Sequence, residues 1–431
     1  MCIRDRAEQA LQPALTLAEQ SLASLRSEAE RITWKNDAAP VYLALTEAKL
    51  LQGYPQESLE VYESYLGASQ GAATGRQSFE TKVPQPSRLA LRLPLLSRET
   101  VLVYAALPDG LAIWVCDDRG VHLEWIAKPT DELQELAARF YDLASDPKSD
   151  LNALRRDGLS LYVALILPVE QRLAPGRTLV IEADGWLAHV PFEALVDVQN
   201  HYLIEHWAVV HSLGQDFEAR LRSDDDRDQS IAAGMPALVV ASTASSQSEG
   251  LPPLAGIAEE ADAVASGFHS PRVLKGSEAT LRAVQENLPS AAVFHFAGHS
   301  LFTPDRSGLL LENVGQKTEI PSLIDAAAVR KLNVRSLQLA FLSACSTESG
   351  VGTSGGFNSV TEALLRAGVP HVVASRWGVV ETRAFIDDFY RSALSGQLVS
   401  EAIRRASRNM LADNRTAHPY YWSAFAAYGR P

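Results

Sequence analysis

The chain has 431 residues, too many for one ordinary core, and its 46% hydrophobic and 21% charged composition is that of a folded globular protein. Its 52 acidic and 39 basic side chains give a formal charge of −13, which argues against a nucleic-acid partner, since phosphate backbones need a concentrated basic surface. Cys2, Cys116 and Cys345 form no C-x-x-C pair, which excludes a disulfide scaffold or thiolate zinc site and fits a reducing, cytoplasmic compartment. The longest apolar run, near 159–167, ends at Pro168 and is too short to cross a bilayer; no signal peptide is visible, and no membrane partner is expected.

The opening MCIRDR stands outside the pattern that follows and reads as an added or truncated end. From Leu11, apolar residues fall at Leu15, Ala18, Leu22, Leu25, Ala29 and Ile32, steps of four and three that predict one long helix. Residues 42–66 read as a helix, a break at Gly53-Tyr54-Pro55, and a second helix with Leu59, Tyr62 and Leu66 inward. Such a pair resembles one tetratricopeptide repeat, and equally a plain helical hairpin; a lone repeat cannot bury its faces, so residues 7–70 read as the end of a longer array. Residues 71–89, rich in Gly, Ser, Gln and Pro, read as a linker.

Residues 90–222 read as a mixed α/β half. Segments 100–106, 111–116 and 121–126, separated by Asp109-Gly110 and Asp118-Arg119-Gly120, predict a β-meander. Helices follow at about 130–144 and 150–173, then a buried strand and an Asp184-Gly185 turn. The acidic run 223–228 reads as a solvated loop.

Residues 230–431 alternate. Strands are expected at 237–242, 271–275, 292–298, 338–344 and 371–376, and helices at 256–267, 280–288, 324–332, 357–367, 382–395 and 399–412. Continuous apolar strands between amphipathic helices indicate a mostly parallel sheet covered on both faces, in which sites gather at the carboxyl ends of strands.

Two of those ends carry chemistry. VFHFAGHS, 293–300, delivers His299, and QLAFLSACST, 338–347, delivers Cys345, 46 residues later. A thiolate is the nucleophile of a cysteine hydrolase, and an imidazole lowers the thiol's pKa and returns the proton to the leaving group. A lone Cys at a buried strand end is ordinarily a small hydrophobe, and a lone His an ordinary loop residue. Here the chain turns polar directly after Cys345, which suits an exposed loop.

His295 and His299 have H-x-x-x-H spacing, but on a strand they lie roughly 13 Å apart, too far for one ion, so no metal is expected there. GVGTSG, 350–355, fits the dinucleotide fingerprint, yet it begins six residues beyond the strand, where the tight turn should already have passed. A glycine-rich loop bordering a cleft accounts for it as well, and no cofactor is expected.

The runs HFAGHS, LSACSTESG, TEALLRAGVPHVVASRW and HPYYWSAFAAYG resemble the CHAT domain, the caspase-like domain associated with tetratricopeptide repeats. LVIEADGWLAHVPFEALVD, YLIEHWAVVHS and SGLLLE extend the resemblance over roughly residues 90–430. The resemblance implies an α/β, caspase-like, mostly parallel sheet in a clan of cysteine endopeptidases that includes caspases and separase, and a bacterial source. His299 would be general acid/base and Cys345 the nucleophile. The backbone N–H groups of Ser300 and Cys345 would form the oxyanion hole.

Two positions depart from the family. Ser300 stands where Gly is frequent, and Ser346 where an acid is frequent; if that acid helps choose a basic P1 residue, this chain lacks the determinant. In this fold the strand after the nucleophile's helix ends beside the P1 side chain. That assigns Arg376 to an acidic P1, if it faces the cleft rather than a surface ion pair, and Trp377 to a neighbouring subsite. Glu348 or Glu381, if either lines the pocket, favours a basic P1 instead. The expected function is an endopeptidase acting on a protein substrate, with a regulatory protein partner docked on the helical repeats. A catalytically silent interaction module on the same fold, or nucleotide binding at Gly350–Gly355, is the alternative.

Overall fold

The computed structural model describes residues 3–25, 28–69, 93, 96–214, 230–244, 251, 254–302, 307–313, 322–344, 360–379 and 383–431. Among these, eleven strands form one sheet in the order β3-β2-β1-β4-β5-β14-β13-β12-β8-β6-β7. The first half supplies β1 (Glu99–Leu107), β2 (Gly110–Asp117), β3 (Gly120–Ile126), β4 (Thr178–Ala183) and β5 (Val209–Ser212). The second supplies β6 (Ala237–Ala241), β7 (Arg272–Lys275), β8 (Val293–Gly298), β12 (Leu339–Ala344), β13 (His371–Ser375) and β14 (Phe425–Gly429).

The meander β1-β2-β3 is antiparallel, and β1, β4 and β5 run parallel. So do β7, β6, β8, β12 and β13. The final strand β14 runs antiparallel to β13 and parallel to β5, and so fuses the halves into one sheet. Sequence periodicity gave no strand there, because FAAYG is only five residues long and shows no clear alternation. A side sheet of β9 (Ser300–Phe302), β10 (Ser307–Leu311) and β11 (Ser322–Ile324) was also unforeseen. Its strands are too brief for a period to register.

Helices cover both faces. On one face α4 (Asp131–Ser145), α5 (Leu151–Leu165), α7 (Ile257–Ser266), α11 (Arg383–Leu394) and α12 (Val399–Ala412) enclose a core running through both halves, from Tyr104 and Phe140 to Phe341, Phe389 and Phe425. On the other face α8 (Leu281–Asn287), α9 (Ala326–Lys331) and α10 (Val360–Arg366) cover Leu238, Phe294, Phe296 and Leu342 in the second half. Alternation along each strand sends neighbours to opposite faces, as for Phe341 and Leu342.

The remaining quarter is covered by the amino-terminal helices α1 (Ile3–Ser24), α2 (Glu28–Leu51) and α3 (Pro55–Ser69). The single long helix expected from Leu11 to Ile32 is two, parted between Ser24 and Glu28, because the apolar stripe runs on through the break. The second break falls where expected: Gly53 has a φ of +86°, and Pro55 opens α3. Leu59, Tyr62 and Leu66 are buried, but against the sheet. The Tyr62 ring stacks on Trp114 at 5.8 Å, and its hydroxyl donates to the Tyr104 carbonyl at 3.0 Å. Trp114 Nε1 in turn donates to the Pro55 carbonyl at 3.0 Å. The helical segment is thus a layer of the fold. No described helix is long and apolar enough to cross a membrane.

Tyr62→Ala should therefore destabilise the whole sheet by about 3–5 kcal/mol in chemical denaturation. Tyr62→Phe, which loses only the hydroxyl bond, should cost about 1 kcal/mol. A wild-type midpoint for Tyr62→Ala would show that the arm is not part of the core.

Candidate active site

Strands β8 and β12 are parallel neighbours, and their last residues, Gly298 and Ala344, are partners in register. Parallel strands lie about 4.8 Å apart. His299 is the next residue on one strand, and Cys345 is next in sequence on the other. Cys345 itself lies outside the described residues, as do Ser346, Glu348, the 350–355 glycine segment and Glu381.

His299 is buried to 5% exposure, and its carbonyl accepts from Leu310 N–H at 2.8 Å. Glycine precedes it for a packing reason: a Cβ at Gly298 would lie 2.9 Å from the Phe296 ring and 3.1 Å from the Ser242 carbonyl. Ser300 and Leu309 are opposite one another in the β9–β10 ladder. Because the bond runs from Leu310 to His299, theirs is a non-hydrogen-bonded pair, and the Ser300 N–H points to the strand edge away from β10. Among the described residues Asn200 is the non-glycine with positive φ, so serine at 300 carries no strain of that kind. The end of β12 is tied from its other side, where the Ser375 hydroxyl donates to the Ala344 carbonyl. Ser375 opens the SRW run, of which sequence gave a role only to Arg376 and Trp377.

His295 is a packed strand residue. It is fully buried, with Nδ1 3.0 Å from the Tyr390 hydroxyl and Nε2 3.0 Å from Glu260 Oε1, and it stacks on Phe341.

Arg376 follows β13 at the same edge of the sheet, but its side chain turns inward, contrary to both positions weighed for it. It is 1% exposed. Its guanidinium lies 3.2 and 3.1 Å from the two Glu193 oxygens, 2.7 Å from His211 Nε2, and donates to the Ser423 carbonyl at 2.9 Å. It is enclosed among protein groups, facing neither a P1 side chain nor solvent. Sequence could not reveal this, because Glu193 and His211 come from the other half of the chain. Trp377 is also buried, with Nε1 donating to the Tyr420 carbonyl at 3.0 Å and its ring edge-on to Tyr141. Neither forms an open subsite wall here.

Burial would raise the Glu193 carboxyl, but Arg376 and then His211 outweigh it and hold the carboxyl down at about 2. A folded-state value below the unfolded one means that stabilisation is complete above the ordinary carboxylate range and is lost as pH falls towards 2.

A mostly parallel α/β sheet with a histidine at one strand end, and a cysteine directly beyond the end of its neighbour, defines the caspase-like class. The CHAT domain family model matches residues 155–430, well over half of the chain, and the chain belongs to the CHAT domain family. Relatives include tetratricopeptide repeat protein 28 of Mus musculus, 26% identical over 64% of this chain, and of Homo sapiens, 27% identical over 63%. The chain spans 13% of the length of each. Chains of the Saccharomyces cerevisiae separase-securin complex share the fold at 11% identity in two crystal structures. Their TM-scores are 0.53 and 0.54, covering 99% and 100% of this chain and 38% of theirs.

Arg376→Met should destabilise the protein by roughly 3 kcal/mol, the lower end for a broken buried pair because His211 still faces Glu193. Adding Glu193→Gln should recover much of that loss, and the double variant should lose less stability than wild type as pH falls from about 5 to about 2, where this carboxyl takes up its proton. Equal losses in the single and double variants would contradict the pairing.

Proposed function

We propose that the protein is a cysteine endopeptidase in which Cys345 is the nucleophile and His299 the general acid/base. The observation that supports this reading is the pairing of Gly298 with Ala344, the residues that precede His299 and Cys345 in sequence. In this reading residues 230–431 hold the chemistry, residues 90–222 complete the sheet, and residues 7–70 cover it and offer a docking face to a protein partner.

The Cys345 thiolate attacks the scissile carbonyl carbon, forming a C–S bond and moving the carbonyl π pair onto oxygen. The N–H groups of Ser300 and Cys345 hold that oxyanion. As the C–N bond breaks, the His299 imidazolium gives its proton to the departing amine, leaving a thioester. His299 then takes a proton from water, which attacks the thioester carbon and releases the acid and the thiol. Gly298 matters as the residue that lets β8 pass under Phe296 and Ser242 without displacing the imidazole. With Arg376 enclosed, the remaining charged candidates for specificity are Glu348 and Glu381, which favour a Lys or Arg P1 side chain.

Cys345→Ala and His299→Ala should each abolish cleavage in a P1-scanned peptide library while leaving the circular dichroism and melting curve unchanged. Arg376→Ala should not alter the P1 profile of the molecules that remain folded. Wild-type protein that cleaves none of the library, and whose Cys345 takes no peptide-based thiol probe, would instead favour a catalytically silent interaction module. A preference for Asp at P1 would remove Glu348 and Glu381 from the pocket.

A further inference from the structure

We infer that Asp197, His201 and His206, on the side of the molecule built by the first half of the chain, bind one divalent transition-metal ion of the zinc type. The three donor atoms converge: Asp197 Oδ2 is 2.9 Å from His206 Nε2 and 3.6 Å from His201 Nδ1, and all three lie within 4.8 Å of one another. Ligands of a tetrahedral zinc ion, bonded at about 2.0–2.2 Å, stand about 3.3 Å apart, so these atoms form one face of such a shell with small adjustments.

The local chain is organised to hold that face. Val196 and Tyr202 pair in an antiparallel bridge, and Asn200 closes the turn between them with a φ of 69°. Asn supplies that left-handed conformation at less cost than most residues. Asp197 Oδ1 accepts from the backbone N–H of Gln199 and of His201, both at 2.8 Å. Those bonds fix the carboxylate and leave Oδ2 directed at the imidazoles.

One short turn of helix, α6 (Leu203–His206), then brings His206 back beside Asp197. Tyr202 N–H donates to Glu205 Oε1 at 2.7 Å to start that turn. Two guanidinium groups border the segment, and both bind its backbone and Asn200 rather than the Asp197 carboxylate. Arg155 donates to the Asn200 carbonyl and side chain, and Arg404 of α12 donates to the carbonyls of Ile204, Glu205 and His206.

Two imidazole nitrogens and one carboxylate oxygen suit zinc and its first-row neighbours rather than magnesium or calcium, which prefer all-oxygen shells. The imidazoles are 53% and 39% exposed, so a water completes the shell from solvent. Because Arg404 fastens the His206 end to α12, the bound ion would clip this turn of the first half against the second. A plain Asp197–His206 ion pair explains the 2.9 Å contact alone. The His201 ring also packs edge-on against that of His206 at 5.6 Å, and a shared ion then gives both imidazoles one purpose at the same oxygen.

The test uses EDTA-stripped full-length protein carrying Cys345→Ala and Cys2→Ser, so that neither thiol competes and the outcome is independent of the proposed dyad. Titration with Zn2+ alone should show one ion per chain and a rise in melting temperature. Titration with Co2+ should give the visible bands of a four-coordinate ion. His201→Ala, His206→Ala and Asp197→Asn, the last of which keeps the oxygen that caps the turn, should each weaken binding at least about tenfold without lowering the metal-free melting temperature below that of the parent by more than a few degrees. Absence of stoichiometric binding, or affinity unchanged from the parent in both histidine variants, would overturn the site.

Discussion

The register between β8 and β12 is the constraint on which the candidate site depends. The two neighbouring strands run the same way and end at paired residues, Gly298 and Ala344. Backbone hydrogen bonds between apolar strands hold that pairing, buried on both faces by helices. A slip of one residue would send Phe341, His295 and their alternating neighbours to the wrong face, so packing enforces the register. Close contacts then fix what lies at the edge. Gly298 fits under Phe296, and Ser375 holds the Ala344 carbonyl from the neighbouring strand.

The same sheet explains why two halves of the chain, and a helical segment before them, behave as one structure. Strand β14 returns from the end of the chain to lie between β13 and β5, and Arg376 crosses that seam to Glu193 and His211. A buried ion pair of this kind contributes little net stability over an apolar pair of the same shape, but losing one partner strands the other charge. Arg376 therefore fastens the seam rather than reading a substrate. The amino-terminal helices close the last open face, with Tyr62 keyed between Trp114 and the Tyr104 carbonyl.

Much of this was legible because buried parallel strands and amphipathic helices leave long, regular patterns. Each strand and helix expected between 237 and 412 has its counterpart, with ends shifted by a few residues. What escaped was short or depended on partners distant in the chain. β9 to β11 and β14 are three to five residues long, and their identity as strands comes from pairing. The inward turn of Arg376 is set by residues 183 and 165 positions away. Asp197, His201 and His206 escaped because they lie on a turn and one short helical turn rather than on a periodic element, and a left-handed Asn200 brings them together. His299 and Cys345 stand out in the sequence because each follows a strong strand signal directly.

The central claim is that the imidazole of His299 acts on the thiol of Cys345. The rate of Cys345 alkylation by iodoacetamide, followed against pH by mass spectrometry of the peptide that carries it, measures this without needing a substrate. The account predicts that the wild-type rate rises well below the ordinary thiol value of about 8.5, and that His299→Ala returns the rise to that value. Superimposable profiles for the two proteins would contradict it.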